Sequence, residues 1–309
     1  MNLSLKDKKI LLTGGAGFLG SFVVKELKKR GASKIIIPRS KDIDLRLRQN
    51  CLKVTKNADI VIHLAANVGG IGKNQLFPGT LFYDNAVMGI ELIEAARINK
   101  VTKFVCLSTI CAYPKYTPIP FREENLWLGY PEETNAPYGL AKKILLVQAQ
   151  AYRQQFGFNC IYLLPVNLYG PGDNFDLESS HVIPAIIRKI IEAKQAGKSS
   201  IEVWGDGTPT REFLYVEDAA KGIVLATLKY NKKDPVNLGS GMEISIKDLV
   251  LTISKILDYQ GKIIFDITKP NGQPRRMLDT SKAHTEFGFK ATTSFHNGLK
   301  KTIDWYIKK

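Results

Sequence analysis

A tyrosine and a lysine four residues apart, Tyr138 and Lys142, are the residues of this 309-residue chain best suited to acid–base chemistry. They open a helical pattern that continues through residues 145–147, so both side chains lie on one face of the predicted helix. An ammonium beside a phenol favours the phenolate, which we expect to lower the pKa of Tyr138. Upstream, Thr109 follows a predicted strand, where its hydroxyl can orient a carbonyl group. The three residues predict a site that reduces a carbonyl.

Three glycines, Gly14, Gly17 and Gly20, lie between an apolar run at 10–12 and a helical pattern that starts at residue 18. A strand, a glycine-rich turn and a helix in this order bind the pyrophosphate of a dinucleotide, because the backbone can approach it closely and the helix N-terminus offers free N–H groups. A purely structural turn is the alternative. The context of the glycines favours a dinucleotide site.

The end of the second predicted strand distinguishes the two nicotinamide cofactors. An acidic residue there binds a ribose 2′-hydroxyl, and a basic residue accepts a 2′-phosphate. The sequence reads Ile-Pro-Arg-Ser-Lys at 37–41, with Arg39 placed for a phosphate and Ser40 or Lys41 as possible helpers. We therefore expect NADP(H), against the alternative that these residues form a basic surface loop.

The elements that must position these residues alternate along the first half of the chain. Short β-branched or apolar runs lie at 10–12, 35–37, 60–62 and 104–107, and helical patterns separate them. Such alternation predicts an α/β fold with a Rossmann-type, doubly wound parallel sheet. We expect residues 1–166 to form the dinucleotide-binding domain, with a returning segment near 211–240. Residues 167–309 are expected to form mainly a smaller α/β substrate-binding domain.

Composition limits the remaining classes of function. With 44 Lys and Arg against 29 Asp and Glu, the net charge is +15, which favours anionic partners such as nucleotides. The basic residues are scattered and form no nucleic-acid-binding motif, so we expect no nucleic-acid partner. The four cysteines have no metal-ligand spacing, and no stretch approaches a membrane span or a signal peptide. We expect no metal, no membrane partner and a cytoplasmic location.

Six strings give the chain a resemblance to a known family. They are HLAANVGGIGKN (63–74), CAYPKYTPIPFREENL (111–126), TNAPYGLAKK (134–143), PVNLYGPGDNFDLESSHVIPAIIRK (165–189), WGDGTPTREFLYVED (204–218) and KPNGQPRRMLD (269–279). With them the chain resembles the extended short-chain dehydrogenase/reductase family, and most closely its members that epimerise and reduce a GDP-linked 4-keto sugar. The resemblance implies NADPH-dependent 3,5-epimerisation and 4-reduction of GDP-4-keto-6-deoxy-D-mannose, and a homodimer formed through helices near 80–99 and 138–156.

The resemblance also implies a role for individual residues. Thr109, Tyr138 and Lys142 are expected to act in reduction, and Cys111 and His181 in epimerisation. The implied cofactor-binding set is Gly14, Ala16, Gly17, Phe18, Leu19, Gly20, Arg39, Asp44, Leu45, Leu64, Ala65, Ala66, Tyr138, Lys142, Pro165, Asn167, Leu168 and His181. The implied set for the GDP portion is Asn167, Val182, Lys189, Trp204, Arg211 and Arg276.

Chemistry supports the epimerisation pair. A ketone at C4 acidifies the C–H bonds at C3 and C5, so each inversion needs a base and an acid. The simpler alternatives are that Cys111 is a small buried hydrophobe and that His181 only faces solvent near a helix N-terminus. Cys51, Cys106 and Cys160 are interpreted as structural, and His63 is expected to end the third strand inside the core.

Two departures from the family pattern keep other activities open. Lys189 stands where an arginine is expected, which exchanges a bidentate fork for a point charge. The stretch 72–75 follows Val-Gly-Gly-Ile in the loop expected over the sugar, and its departure from the family pattern leaves room for a different sugar. The alternatives are a reductase, with or without epimerase activity, for another GDP-4-keto sugar such as a 6-deoxy-heptose, and a non-catalytic NADP-binding redox sensor.

Overall fold

A parallel six-stranded sheet forms the centre of the molecule, here described from a computed structural model over residues 4–269 and 271–309. Its strands are β1 (Lys9–Thr13), β2 (Lys34–Ile36), β3 (Ile60–His63), β4 (Lys103–Leu107), β5 (Cys160–Pro165) and β9 (Val236–Leu238). Their order across the sheet is β2-β1-β3-β4-β5-β9, and every neighbouring pair is parallel. The central strands are buried along their length, as their continuous apolar runs predict.

Helices cover both faces of this sheet. On one face α1 (Phe18–Lys29) packs against α7 (Val216–Lys229). On the other, α4 (Pro78–Ile98) packs against α2 (Arg48–Thr55) and α5 (Ala136–Phe156). The predicted doubly wound Rossmann-type sheet is thus confirmed. In the described ranges no helix, including the 21-residue α4 and α5, is long and apolar enough to cross a membrane.

The order of the strands places a crevice. From β1 the chain moves outward to β2 and then crosses back to β3 on the other side of β1. In open α/β sheets the ligand lies outside the carboxyl ends of the strands at such a switch point. The residues that follow β1, β3, β4 and β5 are therefore the ones positioned to contact a ligand.

The second half of the chain adds two smaller sheets and a second core. In one of them β8 (Thr210–Tyr215) pairs with three other strands, β6 (Asn167–Tyr169), β10 (Glu243–Ser245) and β12 (Arg275–Arg276). The other pairs β7 (Ser200–Trp204) with β11 (Lys262–Asp266). The helices α6 (Val182–Gln195), α8 (Ile246–Ile256) and α10 (Phe295–Ile307) pack on these sheets over a separate apolar cluster. Two short helices, α3 (Ile71–Leu76) and α9 (Ser281–Phe287), complete the fold.

Candidate active site

One cavity of about 1610 Å³ runs along the carboxyl ends of the central strands and continues between the two halves of the chain. Apart from Lys142 and Lys41, every residue singled out from the sequence for catalysis or binding lines it. The glycine loop borders one part, Thr109, Cys111, Tyr138 and His181 border another, and Lys189, Trp204 and Arg211 border a third. The fold thus brings together residues separated by up to about 260 positions in the chain.

The glycine loop has the shape that a dinucleotide requires. Gly14 has φ +72°, and a Cβ there would lie 2.8 Å from the backbone nitrogen of Ala65. A Cβ on Gly20 would lie 2.1 Å from the carbonyl oxygen of Gly14, so helix and turn approach as closely as only glycine allows. The N-cap Gly17 offers no side chain to the first turn of α1, which leaves its N–H groups for an anion. These residues fit a pyrophosphate.

The loop after β2 also borders the cavity. Arg39 and Ser40 lie in the cavity wall, whereas Lys41 does not, so Lys41 is the weaker candidate for a phosphate contact. Asp44 also lines the cavity and accepts from Arg46 at 2.8 Å. These hydrogen bonds lower the pKa of Asp44. The guanidinium of Arg46 bonds Asp84 as well, at 3.0 Å, which fixes the loop against α4.

Tyr138 and Lys142 lie at the start of α5 and are both buried, at 8% and 2% exposure. Burial raises the pKa of Tyr138 above its ordinary value, and the nearby Cys111 adds to the rise. The expectation that Lys142 lowers the pKa of Tyr138 is therefore wrong for this structure. The physical reason is that removal from water disfavours the charged form of each group, which raises the pKa of Tyr138 and lowers that of Lys142. Lys142 lies behind the cavity wall.

Cys111 lies on a short 3₁₀ helix, Ile110–Ala112, which begins shortly after β4, and Thr109 is the N-cap residue of this helix. The Thr109 hydroxyl caps this turn by accepting from the backbone N–H of Cys111 at 3.1 Å. α5 packs tightly here, since a Cβ on Gly139 would lie 2.3 Å from the Cys111 carbonyl oxygen. The Cys111 thiol is partly exposed, with Asn135 Oδ1 at 3.7 Å, and it accepts from Arg276 Nη1 at 3.5 Å.

His181 is the N-cap residue of α6 and is open to the cavity rather than to bulk solvent alone. The protein atoms around the imidazole remove it from water, which disfavours its charged form and lowers its pKa. The charge of Arg276 lowers this pKa further. The imidazole is therefore predominantly neutral near pH 7. A neutral imidazole carries one donor and one acceptor nitrogen, and either can exchange a proton with a ligand.

Two guanidinium groups, Arg211 and Arg276, lie near each other in the cavity wall without a carboxylate within ion-pair distance in the described residues. Arg211 donates to two carbonyl oxygens, of Thr210 at 2.8 Å and Asn271 at 3.2 Å. Burial lowers the pKa of Arg211 to about 9, and Arg276 contributes. Two cations held together in this way make a strong anion site.

Lys189 and Trp204 complete this end of the cavity. The Lys189 ammonium donates to the carbonyl oxygen of Glu202 at 3.0 Å, which holds it beside β7. Trp204 is 47% exposed and presents its ring as an apolar wall. Arg188 does not replace the arginine expected at 189, because it pairs with Glu192 at 2.6 Å and does not line the cavity.

The structure adds three polar residues that the sequence reasoning missed. Asn135, Asp173 and Ser180 all line the cavity. Asp173 Oδ2 and Ser180 Oγ are buried and have no hydrogen-bond partner among the residues that the structure describes, and burial raises the pKa of Asp173 to about 7. Asn135 precedes Tyr138 by three residues in a string already noted, and that proximity was the available signal. Asp173 and Ser180 lie in a loop whose position only the fold reveals.

The residues interpreted as structural are buried as expected. Cys51, Cys106 and Cys160 are at most 2% exposed, and none lines the cavity. His63 ends β3 inside the core, where its Nδ1 and the Thr13 hydroxyl are 2.8 Å apart.

Comparison with known proteins places the chain in a family. The profile of the NAD dependent epimerase/dehydratase family matches residues 10–239. A GDP-L-fucose synthase of Sinorhizobium fredii is 39% identical, over 98% of this chain and 96% of its own length. A GDP-L-fucose synthetase from Naegleria fowleri, solved with NADP bound, is 30% identical with a TM-score of 0.88, over 100% of this chain and 96% of its own. A GDP-6-OMe-4-keto-L-xylo-heptose reductase from C. jejuni is 25% identical with a TM-score of 0.92, over 100% and 99%. On this evidence the chain belongs to the NAD dependent epimerase/dehydratase family.

Proposed function

We propose that this protein is an NADP(H)-dependent enzyme that epimerises GDP-4-keto-6-deoxy-D-mannose at C3 and C5 and reduces it at C4, giving GDP-L-fucose. One observation carries the proposal. A single cavity is lined by the glycine loop, by the group Thr109, Cys111, Tyr138 and His181, and by the Arg211–Arg276 pair. Relatives named GDP-L-fucose synthase or synthetase are similar to this chain over nearly its full length.

The cavity has one place for each part of the two ligands. The glycine loop and Arg39 suit the pyrophosphate and 2′-phosphate of NADP(H). Arg211, Arg276 and Lys189 suit the diphosphate of a nucleotide sugar, and Trp204 supplies a stacking surface for its base. The sugar then lies between these ends, beside Cys111 and His181.

Bound NADPH supplies a hydride for C4 of the sugar. The protein residues around C4 deal with the charge on its oxygen. Tyr138 holds its proton firmly, since burial raises its pKa, and so it is present as a donor when the C4 oxygen becomes an alkoxide. The Thr109 hydroxyl supports the same oxygen with a hydrogen bond. Lys142, behind Tyr138, supplies positive charge when Tyr138 gives up its proton.

Epimerisation uses the same oxygen in a different way. Removal of the proton at C3 or C5 places negative charge on the C4 oxygen, which Tyr138 and Thr109 stabilise. Cys111 Sγ and the His181 imidazole are the proton-exchanging groups proposed for this step. A carbon that loses its proton to one group and regains a proton from the other group, on the opposite face of the sugar, is inverted. One oxyanion site thus serves both reactions.

We also propose that the protein is a homodimer formed through α4 and α5. Both helices pack on the sheet with one side and leave apolar side chains on the other. Phe82 and Ile90 on α4 are 42% and 39% exposed, and Val147 on α5 is 52% exposed. An apolar face on two adjacent helices favours association with a second copy. Analytical ultracentrifugation tests this, and a monomer at micromolar concentration would contradict it.

Incubation of the purified protein with GDP-4-keto-6-deoxy-D-mannose and NADPH tests the function. NADPH absorbance follows reduction, and NMR in D₂O follows deuterium at C3 and C5. Tyr138→Phe is expected to suppress hydride transfer, and Cys111→Ser to block deuterium incorporation. Cys51→Ser, which alters a buried thiol outside the cavity, is the matched control. Absence of NADPH consumption would overturn the proposal, and a reduced but unepimerised product would restrict it to a reductase.

A further inference from the structure

The surroundings of the Cys111 thiol contain two opposed hydrogen-bonding groups. Arg276 Nη1 lies 3.5 Å from Sγ and donates to it, and Asn135 Oδ1 lies 3.7 Å away and accepts from it. Both neighbours are buried, Arg276 at 7% and Asn135 at 9% exposure. A positively charged hydrogen-bond donor favours the thiolate, whereas a hydrogen-bond-accepting oxygen favours the protonated thiol. The two groups therefore act on Cys111 in opposite directions.

The orientation of the Asn135 amide is fixed from behind. Its Nδ2 donates to the carboxylate of Glu132, which is 6% exposed and also accepts from the Thr134 hydroxyl at 2.7 Å. A carboxylate accepts and does not donate, so the NH₂ side of the amide must face Glu132. The oxygen of the amide is then the atom left for Cys111.

The orientation of Arg276 is fixed in the same manner. Its Nε donates to Gln273 Oε1 at 2.7 Å, and Gln273 Nε2 in turn donates to the carbonyl oxygen of Lys115 at 2.8 Å. Lys115 follows Cys111 by four residues, so one short chain of hydrogen bonds ties the guanidinium to the segment that carries the thiol. Arg276 has no carboxylate within ion-pair distance among the residues described, which leaves Nη1 for the sulfur.

We propose that Asn135 and Arg276 are positioning residues that hold the Cys111 sulfur between an acceptor and a donor, so that it can release and regain a proton within one catalytic cycle. This rests on the proposed function and deepens it. Arg276, proposed above to hold the diphosphate together with Arg211, then also acts on the Cys111 sulfur through Nη1. The other ionisable groups that face Cys111 are Tyr138 from α5 and Arg211 from β8.

Alkylation of Cys111 by iodoacetamide tests the proposal without any substrate. In this reaction the thiolate sulfur forms a bond to the CH₂ carbon and iodide leaves, so the rate follows the thiolate fraction. Cys51, Cys106 and Cys160 are buried, which makes Cys111 the accessible thiol, and Cys111→Ser gives the background rate. Rates are read by mass spectrometry of the intact protein near neutral pH.

The two substitutions are expected to change the rate in opposite directions. Arg276→Met removes the charge that favours the thiolate and slows alkylation about tenfold, the size of effect that a nearby opposite charge has on a proton equilibrium. Arg276→Lys restores part of the rate. Asn135→Leu removes the acceptor that favours the thiol and speeds alkylation about threefold, for a hydrogen bond of about 0.6 kcal/mol. Arg275→Met, on an exposed neighbour that pairs with Glu243 at 2.6 Å, is the control and leaves the rate unchanged.

A merely structural role gives a different pattern, since loosening the site exposes Cys111 and speeds alkylation in both variants. That outcome, or equal rates in all variants, would overturn the proposal. If Asn135→Leu does not fold, Arg276→Met and Arg276→Lys decide it, because only a charge effect is rescued by lysine. Turnover of the keto sugar is measured separately. Unchanged alkylation in an active enzyme refutes the positioning role alone, and the expected alkylation pattern in an inactive protein refutes the proposed function alone.

Discussion

A single buried carboxylate, Glu212, holds together the loops beside the candidate anion site. It is 0% exposed, and its two oxygens accept from three backbone N–H groups. Oε1 accepts from Gly241 at 2.7 Å and from Ser240, and Oε2 accepts from Leu278 at 2.7 Å. Burial raises the pKa of Glu212, and these donors oppose the rise. Leu278 follows Arg276 by two residues, so the carboxylate fixes the strand that carries Arg276.

The substitution Glu212→Gln keeps the shape and removes one acceptor. Whichever way the amide turns, its NH₂ faces at least one buried N–H that then has no partner, which costs about 2–3 kcal/mol. Unfolding entropy of about 2.1 cal/mol/K per residue gives about 0.65 kcal/mol/K for a chain of 309 residues. The expected fall in Tm is therefore about 3–5 °C. We also expect a higher KM for the nucleotide sugar, because Arg276 loses its fixed position.

Differential scanning calorimetry measures the fall in Tm, and initial rates at varied substrate concentration measure KM. The matched control is Glu124→Gln, whose side chain is 69% exposed and which we expect to change stability by less than about 0.5 kcal/mol. A Tm within 1 °C or so of the wild type for Glu212→Gln would refute the reasoning. It would mean that the three N–H groups find water or other acceptors without the carboxylate.

Three further predictions concern the cofactor loop and the core. Gly20→Ala places a Cβ 2.1 Å from the Gly14 carbonyl and should weaken NADPH binding at least about tenfold by fluorescence titration, whereas Gly79→Ala, with open space around it, should not. Arg39→Ala should raise the KM for NADPH about 10- to 100-fold and leave that for NADH unchanged, with Lys41→Ala as the control. An equal loss for both cofactors would contradict the 2′-phosphate contact. Burial holds the pKa of His63 well below 6.5, so the unfolded chain binds this proton first and stability falls as pH drops below 6.5. Urea midpoints between about pH 5 and pH 7 should show a shallower decline for His63→Gln.

Much of the fold was accessible from the sequence because burial on both faces imposes continuous apolar runs. β1, β3, β4 and β5 each coincide with such a run, and the glycines after β1 identify the first turn of the Rossmann-type unit. The second half is less readable. Strand β12 has only two residues, and more than sixty residues of the chain separate it from its partner β8. No local sequence pattern therefore predicts this strand. Such pairings depend on the packing of the whole chain.

For the site, sequence patterns located residues better than they described their surroundings. Tyr138 and Lys142 share a helix face as their spacing predicts, but the spacing cannot say how deeply either is buried, and burial decides the direction of their pKa shifts. Asp173 is a similar case. Its loop composition predicts a turn, whereas its orphaned carboxylate oxygen in the cavity wall follows from packing against the rest of the fold.

The two anchors of Arg276 connect the stability of the second sheet to the chemistry of the cavity. Glu212 holds the backbone of Leu278, and Gln273 holds the guanidinium, so β12 is fixed on both sides of Arg276. If Arg276 acts on the Cys111 sulfur, then loosening β12 from either side must weaken the same contact. Glu212→Gln is therefore expected to slow alkylation of Cys111 in the direction of Arg276→Met, although Glu212 makes no hydrogen bond to the thiol. A Glu212→Gln protein with a lowered Tm and an unchanged alkylation rate would show that Gln273 alone fixes the guanidinium.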